Sequence, residues 1–168
     1  MIDSVDALAS RLQAEGKAVL SFFGALAPDA WQCTIYGEEG PWLARDVLAH
    51  FIAAEEGFLR VLQDVASGGE GAPPGFDIDA YNRQSVEALR EQDHDVLLGQ
   101  FAMLRERTVA LVRSFQLELL EQRGRHPFLG ETSLYEMLRA IYHHNSLHLR
   151  DVRRALRAGQ AASSGAQG

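Results

Sequence analysis

The sequence predicts an all-α fold, a four-helix bundle. Apolar residues recur at three- and four-residue spacing through four long stretches. No segment carries a convincing run of alternating β-branched residues, and the stretches separate at glycines, prolines and acidic clusters, with no internal repeat. With 168 residues, 46% of them apolar, the chain can bury one full core, so a single domain over residues 1–158 is expected.

The first helix is expected from about Ser4 to Leu26, where Val5, Leu8, Leu12, Val19, Leu20, Phe23 and Leu26 form one face, ending before Ala27-Pro28-Asp29. A connection through Trp31 and Tyr36-Gly37-Glu38-Glu39-Gly40 leads to a second helix, Pro41 to Ala66, with the proline's fixed φ suited to its first position. The glycine- and proline-rich Ser67 to Gly75 is a loop long enough for a crossover from one end of a bundle to the other. A third helix is expected from Ile78 towards Leu120, interrupted at Gln92-Asp93-His94, where Asp93 can cap a new start. The fourth opens on the capping-box pattern Ser133-Leu134-Tyr135-Glu136 and is expected to reach Ala158. The Ala/Ser/Gly/Gln tail, residues 159–168, is expected to be disordered.

Sixteen basic residues against 23 acidic ones give a formal charge of -7, with no basic stripe, which argues against nucleic acid as a partner. The lone Cys33 cannot form an internal disulfide. The acidic start Met1-Ile2-Asp3-Ser4-Val5-Asp6 is unlike a signal peptide, and no apolar run reaches the roughly 18 residues of a membrane span. A cytoplasmic protein with no membrane partner is therefore expected.

The chemistry is expected from histidines. His144 and His148 stand four residues apart on the last helix, at the apolar stripe of Leu134, Ile141 and Val152, while His143 falls on the opposite side, at the surface or a subunit contact. His50 lies near the centre of the second helix's stripe of Leu43, Val47, Ala54, Phe58, Val61 and Val65. A buried imidazole commonly finds another hydrogen-bond partner, and a bundle with no metal remains an alternative. One divalent cation, however, would satisfy all three rings in their neutral form.

The segment Trp42-Leu43-Ala44-Arg45-Asp46-Val47-Leu48-Ala49-His50, followed far downstream by His144-Asn145-Ser146-Leu147-His148, resembles the DinB/YfiT-like metalloenzyme superfamily. The resemblance covers nearly the whole chain. It implies up-down-down-up connectivity with the crossover between helices two and three, a metal shared by His50, His144 and His148, and a homodimer. Many members carry glutamate where this chain has Asn145.

Three neutral histidines leave a coordination position open and the metal's charge uncompensated, the arrangement of a reactive site. Zinc or nickel is expected, with iron, manganese or copper as alternatives. The resemblance implies a thiol S-transferase acting on a small electrophile, with a low-molecular-weight thiol held at the metal as thiolate. Two alternatives stay open: a hydrolase using metal-activated water, and a non-catalytic binding or stress-response module. Asn82, Arg83 and His126 are candidates for the thiol's pocket, and Asp46 for orienting His50, although each also reads as an ordinary surface or loop residue. Trp31, Tyr36 and Trp42 read as packing anchors, and Cys33 as incidental.

Overall fold

The computed structural model describes residues 3–37 and 41–165, with side chains up to residue 159; Glu38, Glu39 and Gly40 of the first connection, Met1 and Ile2, and the last three tail residues lie outside the described residues. The main helices are α1 (Val5–Gly24), α2 (Ala44–Ala66), α3 (Ile78–Leu89), α4 (His94–Arg113) and α5 (Leu134–Gly165). Two short hairpins join them, β1 (Thr34–Tyr36) with β2 (Trp42–Leu43) and β3 (Arg123–His126) with β4 (Gly130–Ser133).

Residue pairs fix the helix directions. Arg113 of α4 donates to Gln13 of α1, and Arg105 to Glu15, so these helices run antiparallel. Phe51 meets Phe101 and Glu55 meets Arg105, so α2 and α4 are parallel. Phe58 faces His144 while His50 faces His148, which makes α2 and α5 antiparallel. Parallel α1 and α5 meet at Arg11–Tyr142 and Phe22–Arg153. The bundle is up-down-down-up, and α3 lies on the crossover.

The core has two apolar clusters. One centres on Leu8, Leu12, Leu62, Val112, Leu138 and Ile141, the other on Val19, Phe23, Phe51, Leu97, Phe101 and Val152. Between them, at the middle of the four helices, lies a polar layer of Glu15, Glu55, Arg105, His144 and Asn145. Gly16 admits Arg105 to this layer, since a Cβ there would stand 2.6 Å from its Cγ.

Several boundaries depart from the expected ones. α2 starts at Ala44 instead of Pro41 because Trp42 and Leu43 are drawn into pairing with Thr34 and Tyr36. Asp46 then caps the helix by accepting the Leu43 N–H at 2.9 Å. The expected interruption at Gln92-Asp93-His94 does separate α3 from α4, but α4 stops at Arg113, short of Leu120, and the Ser114 hydroxyl donates to the Leu111 carbonyl at 2.6 Å; Leu117–Glu121 is a separate 3₁₀ turn. Asp93 occupies the cap position of α4 without a side-chain bond to it. Ser133 caps α5 through Glu136 N–H, but the Glu136 carboxylate turns to Arg139. Instead of ending at Ala158, α5 continues to Gly165, through a segment with no proline to stop it.

The crossover loop is pinned to β3. Arg125 N–H donates to Glu70 at 2.7 Å and Ala72 N–H returns to Arg125 at 2.8 Å. Gly71, at φ +86°, sits so close that a Cβ would be 2.5 Å from the Arg125 carbonyl.

Candidate metal centre

α2 and α5 deliver the three histidines as their apolar stripes predict. Antiparallel packing sets His50 beside both residues of the i, i+4 pair, with ring centroids 4.8 Å from His144 and 5.0 Å from His148. One nitrogen from each ring falls within 4.8 Å of the other two, a group that could hold a metal ion. Phe51 lies against all three rings and Trp42 against His50. His50 is buried, whereas His144 and His148 are half-buried.

Hydrogen bonds assign the protons. His144 Nδ1–H donates to Asn145 Oδ1 at 2.9 Å, which leaves its Nε2 bare. The Tyr36 hydroxyl donates to Asp151 at 2.9 Å, so its oxygen accepts from His148 Nδ1–H at 2.7 Å, and His148 Nε2 is bare as well. The 2.8 Å contact between the Nε2 atoms of His50 and His144 needs one proton, which His50 must carry. His50 Nδ1 is buried without a hydrogen-bond partner, so a cation replacing the shared proton would return it to a nitrogen already free.

Burial keeps every ring neutral. It pushes the pKa of His50 well down, aided by the neighbouring His144 and His148, and lowers His148 to about 4 with help from His144. His144 is also lowered by burial, partly offset by Asn145 and Glu55. Neutral imidazoles offer lone pairs, so this donor set fits a borderline divalent cation such as zinc or nickel.

Behind His144 lies the charged layer. Asn145 Nδ2 reaches Glu15 at 3.5 Å, and Arg105 binds Glu15, the Leu12 carbonyl and both oxygens of Glu55. Burial opposes the Arg105 charge, but Glu55 and Glu15 outweigh it and raise its pKa; burial also raises that of Glu15 despite Arg105. Two carboxylates against one guanidinium leave a buried negative surplus near the histidines when both are ionised.

The other expected residues divide. His126 is buried and stacks on Phe58, whose ring also meets His144. The Asp46 carboxylate caps α2 and stands 3.8 Å from Arg90, and no hydrogen bond links it to His50 among the described residues. Asn82 is half-buried and Arg83 exposed on α3, and no hydrogen bond links either to the histidines among the described residues. His143 is exposed, and half-buried Cys33 contacts the Thr34 carbonyl. Trp31 is a buried anchor stacked on His94. Tyr36, expected to be only an anchor, binds His148 directly, and Asp151, Glu15, Glu55 and Arg105 were not expected at all. Asp151, three residues beyond His148, had a legible signal in that spacing.

The fold and this cluster define a four-helix bundle with a central three-histidine centre. The chain belongs to the DinB superfamily, whose family model matches residues 11–152. Among solved structures it is similar to YfiT from Bacillus subtilis, described as a probable metal-dependent hydrolase with an unusual four-helix bundle topology, at 19% identity and TM-score 0.75, covering 93% of this chain and 87% of that one. It is also similar to the mycothiol-dependent maleylpyruvate isomerase, at 11% identity and TM-score 0.74, covering 89% of this chain but only 61% of the isomerase. The colibactin self-resistance protein ClbS, solved with double-stranded DNA, matches at 16% identity and TM-score 0.67, covering 89% of this chain and 95% of its own. At this identity the likeness shows the shared fold. No curated protein matches in sequence. Among the described residues no helix is long and apolar enough to cross a membrane.

Proposed function

We propose that His50, His144 and His148 hold one divalent cation, zinc or nickel before iron or manganese, and that the protein is a metal-dependent enzyme for a small electrophile with a low-molecular-weight thiol as cosubstrate. The observation that carries this reading is the convergence of three neutral imidazoles on a partly exposed point, with the outer nitrogens of two already bonded. When bound, the cation would supply Lewis acidity that lowers the pKa of a coordinated thiol or water.

The chain's own residues do the rest. Asn145 and Tyr36 hold the rings of His144 and His148 with their bare nitrogens inward, and Asp151 fixes the Tyr36 hydroxyl. Glu15 and Glu55 place negative potential beside a donor set that has no charge of its own. Buried Phe51 packs against all three rings and half-buried Trp42 against that of His50, giving the cluster apolar neighbours. Three neutral ligands leave a fourth position for a reacting ligand, which favours this reading over a closed structural centre.

The likeness to the mycothiol-dependent isomerase supports thiol chemistry, and that to YfiT supports hydrolysis as the second reading. The superfamily resemblance also favours a homodimer. Elemental analysis of untagged protein, with His50→Ala and His148→Ala as folded controls, tests the centre: stoichiometric metal in the wild type and its loss in both variants are expected. Assay of the loaded protein on an electrophile with and without mycothiol, bacillithiol or glutathione then separates transfer from hydrolysis.

A further inference from the structure

We propose that the Nε2–H of His126 donates a hydrogen bond to an anionic oxygen, such as a carboxylate presents, of the small ligand that occupies the histidine centre. This rests on the metal reading above and adds to it a specific recognition group.

His126 closes β3 at the turn into β4, and its Nδ1 accepts two backbone N–H groups, from Phe128 and Leu129, each at 3.1 Å. A nitrogen that accepts two bonds carries no proton, so the proton of the neutral ring is on Nε2. That Nε2 is buried and has no hydrogen-bond partner among the described residues, on a side chain only 4% exposed. Buried N–H groups are nearly always paired, and this one, close enough to His144 to feel a charge there, lacks a protein partner among the described residues; a ligand at the centre would supply one. Phe58 joins it to the centre, its ring 5.5 Å from that of His126 and 6.0 Å from that of His144. The stacking and the two bonds at Nδ1 hold the ring in one orientation, so the donor is set before a ligand arrives. An anion suits both a fixed donor and a dication surrounded by neutral rings.

Two substitutions separate this role from closing the turn. In His126→Asn the amide oxygen takes the place of Nδ1 and the donor is lost; in His126→Gln the amide nitrogen takes the place of Nε2 and the acceptor is lost. The probe is acetate titrated into the cobalt(II)-loaded protein, followed in the cobalt absorption spectrum, with cobalt affinity measured by chelator competition. His126→Asn is expected to weaken acetate binding about tenfold or more with cobalt affinity and melting temperature near wild type. His126→Gln is expected to retain most of the acetate affinity while melting earlier. Wild-type acetate affinity in His126→Asn overturns the proposal, as does a cobalt-loaded wild type that gives no acetate response; either result leaves the metal reading standing. Wild-type protein that binds no cobalt overturns both.

Discussion

The phenolic oxygen of Tyr36 lies 2.7 Å from Nδ1 of His148 and 2.9 Å from the Asp151 carboxylate. A hairpin strand thus reaches across to the last helix and sets which nitrogen of His148 is bare. Burial, followed by the bond to Asp151, raises the Tyr36 pKa, so the phenol stays protonated and the chain of bonds runs in one direction.

Removing that hydroxyl should loosen the centre without unfolding the bundle. Tyr36→Phe is expected to weaken zinc or nickel binding by about 10- to 100-fold, the usual effect of losing an outer partner of a histidine ligand. Chelator competition measures it, and unchanged affinity would mean that the contact only anchors the hairpin.

Asn145 holds His144 in the same way and also reaches Glu15. Asn145→Leu leaves both groups without that partner and is expected to lower metal affinity by a similar 10- to 100-fold. It should also destabilise the metal-free protein by about 1–3 kcal/mol, measured by urea denaturation.

Arg105 is the one cation between Glu15 and Glu55 in the buried layer, among the described residues. Arg105→Met strands two carboxylates and is expected to cost about 3–5 kcal/mol at neutral pH. The triple variant with Glu15→Leu and Glu55→Leu should recover most of that loss. Equal stability of the single and triple variants would contradict this assignment.

The metal-free protein should lose stability in acid. His126 and His148 are held at about 4 in the folded chain, by burial first and by His144 second, against 6.5 as the ordinary value. Below 6.5 the unfolded chain binds protons that the folded chain does not, so their contribution is complete above pH 6.5 and is lost as pH falls through about 4. Each ring then accounts for about 1.4 kcal/mol per pH unit within that window. Urea midpoints from pH 7 to pH 4 test the slope, and His126→Asn should reduce it.

Metal should protect the fold, because the three ligands come from two helices that separate on unfolding. A free zinc or nickel concentration one hundred times Kd is expected to stabilise the protein by about 2.7 kcal/mol, and chelation should reverse this. His148→Ala should melt at the same temperature with and without metal.

Much of this was legible in the sequence because helical periodicity is local. The stripes on α1, α2 and α5 are visible in the spacing of Leu8 and Leu12, of Val47 and His50, and of His144 and His148, since a side chain's face follows from its position along its own helix. The same local logic explains the departures. Ser114 turns its hydroxyl onto the Leu111 carbonyl at the end of α4, a local bond that many helical serines make without ending a helix, and Trp42 and Leu43 leave α2 for a strand whose partner lies across the intervening connection. Local propensity does not contain that strand pairing.

What the sequence by itself determined is the all-α class, the order of the helices and the inward placing of His50, His144 and His148. Tertiary structure alone decided how those rings are held. Tyr36 reaches His148 over 112 positions of sequence, and Arg105 reaches Glu15 over 90. In the chain each is an ordinary aromatic or charged residue. Only packing that excludes water makes an unpaired Arg105, Glu15 or Glu55 costly enough to require a partner, and spacing within a helix does not say which distant side chain will supply it.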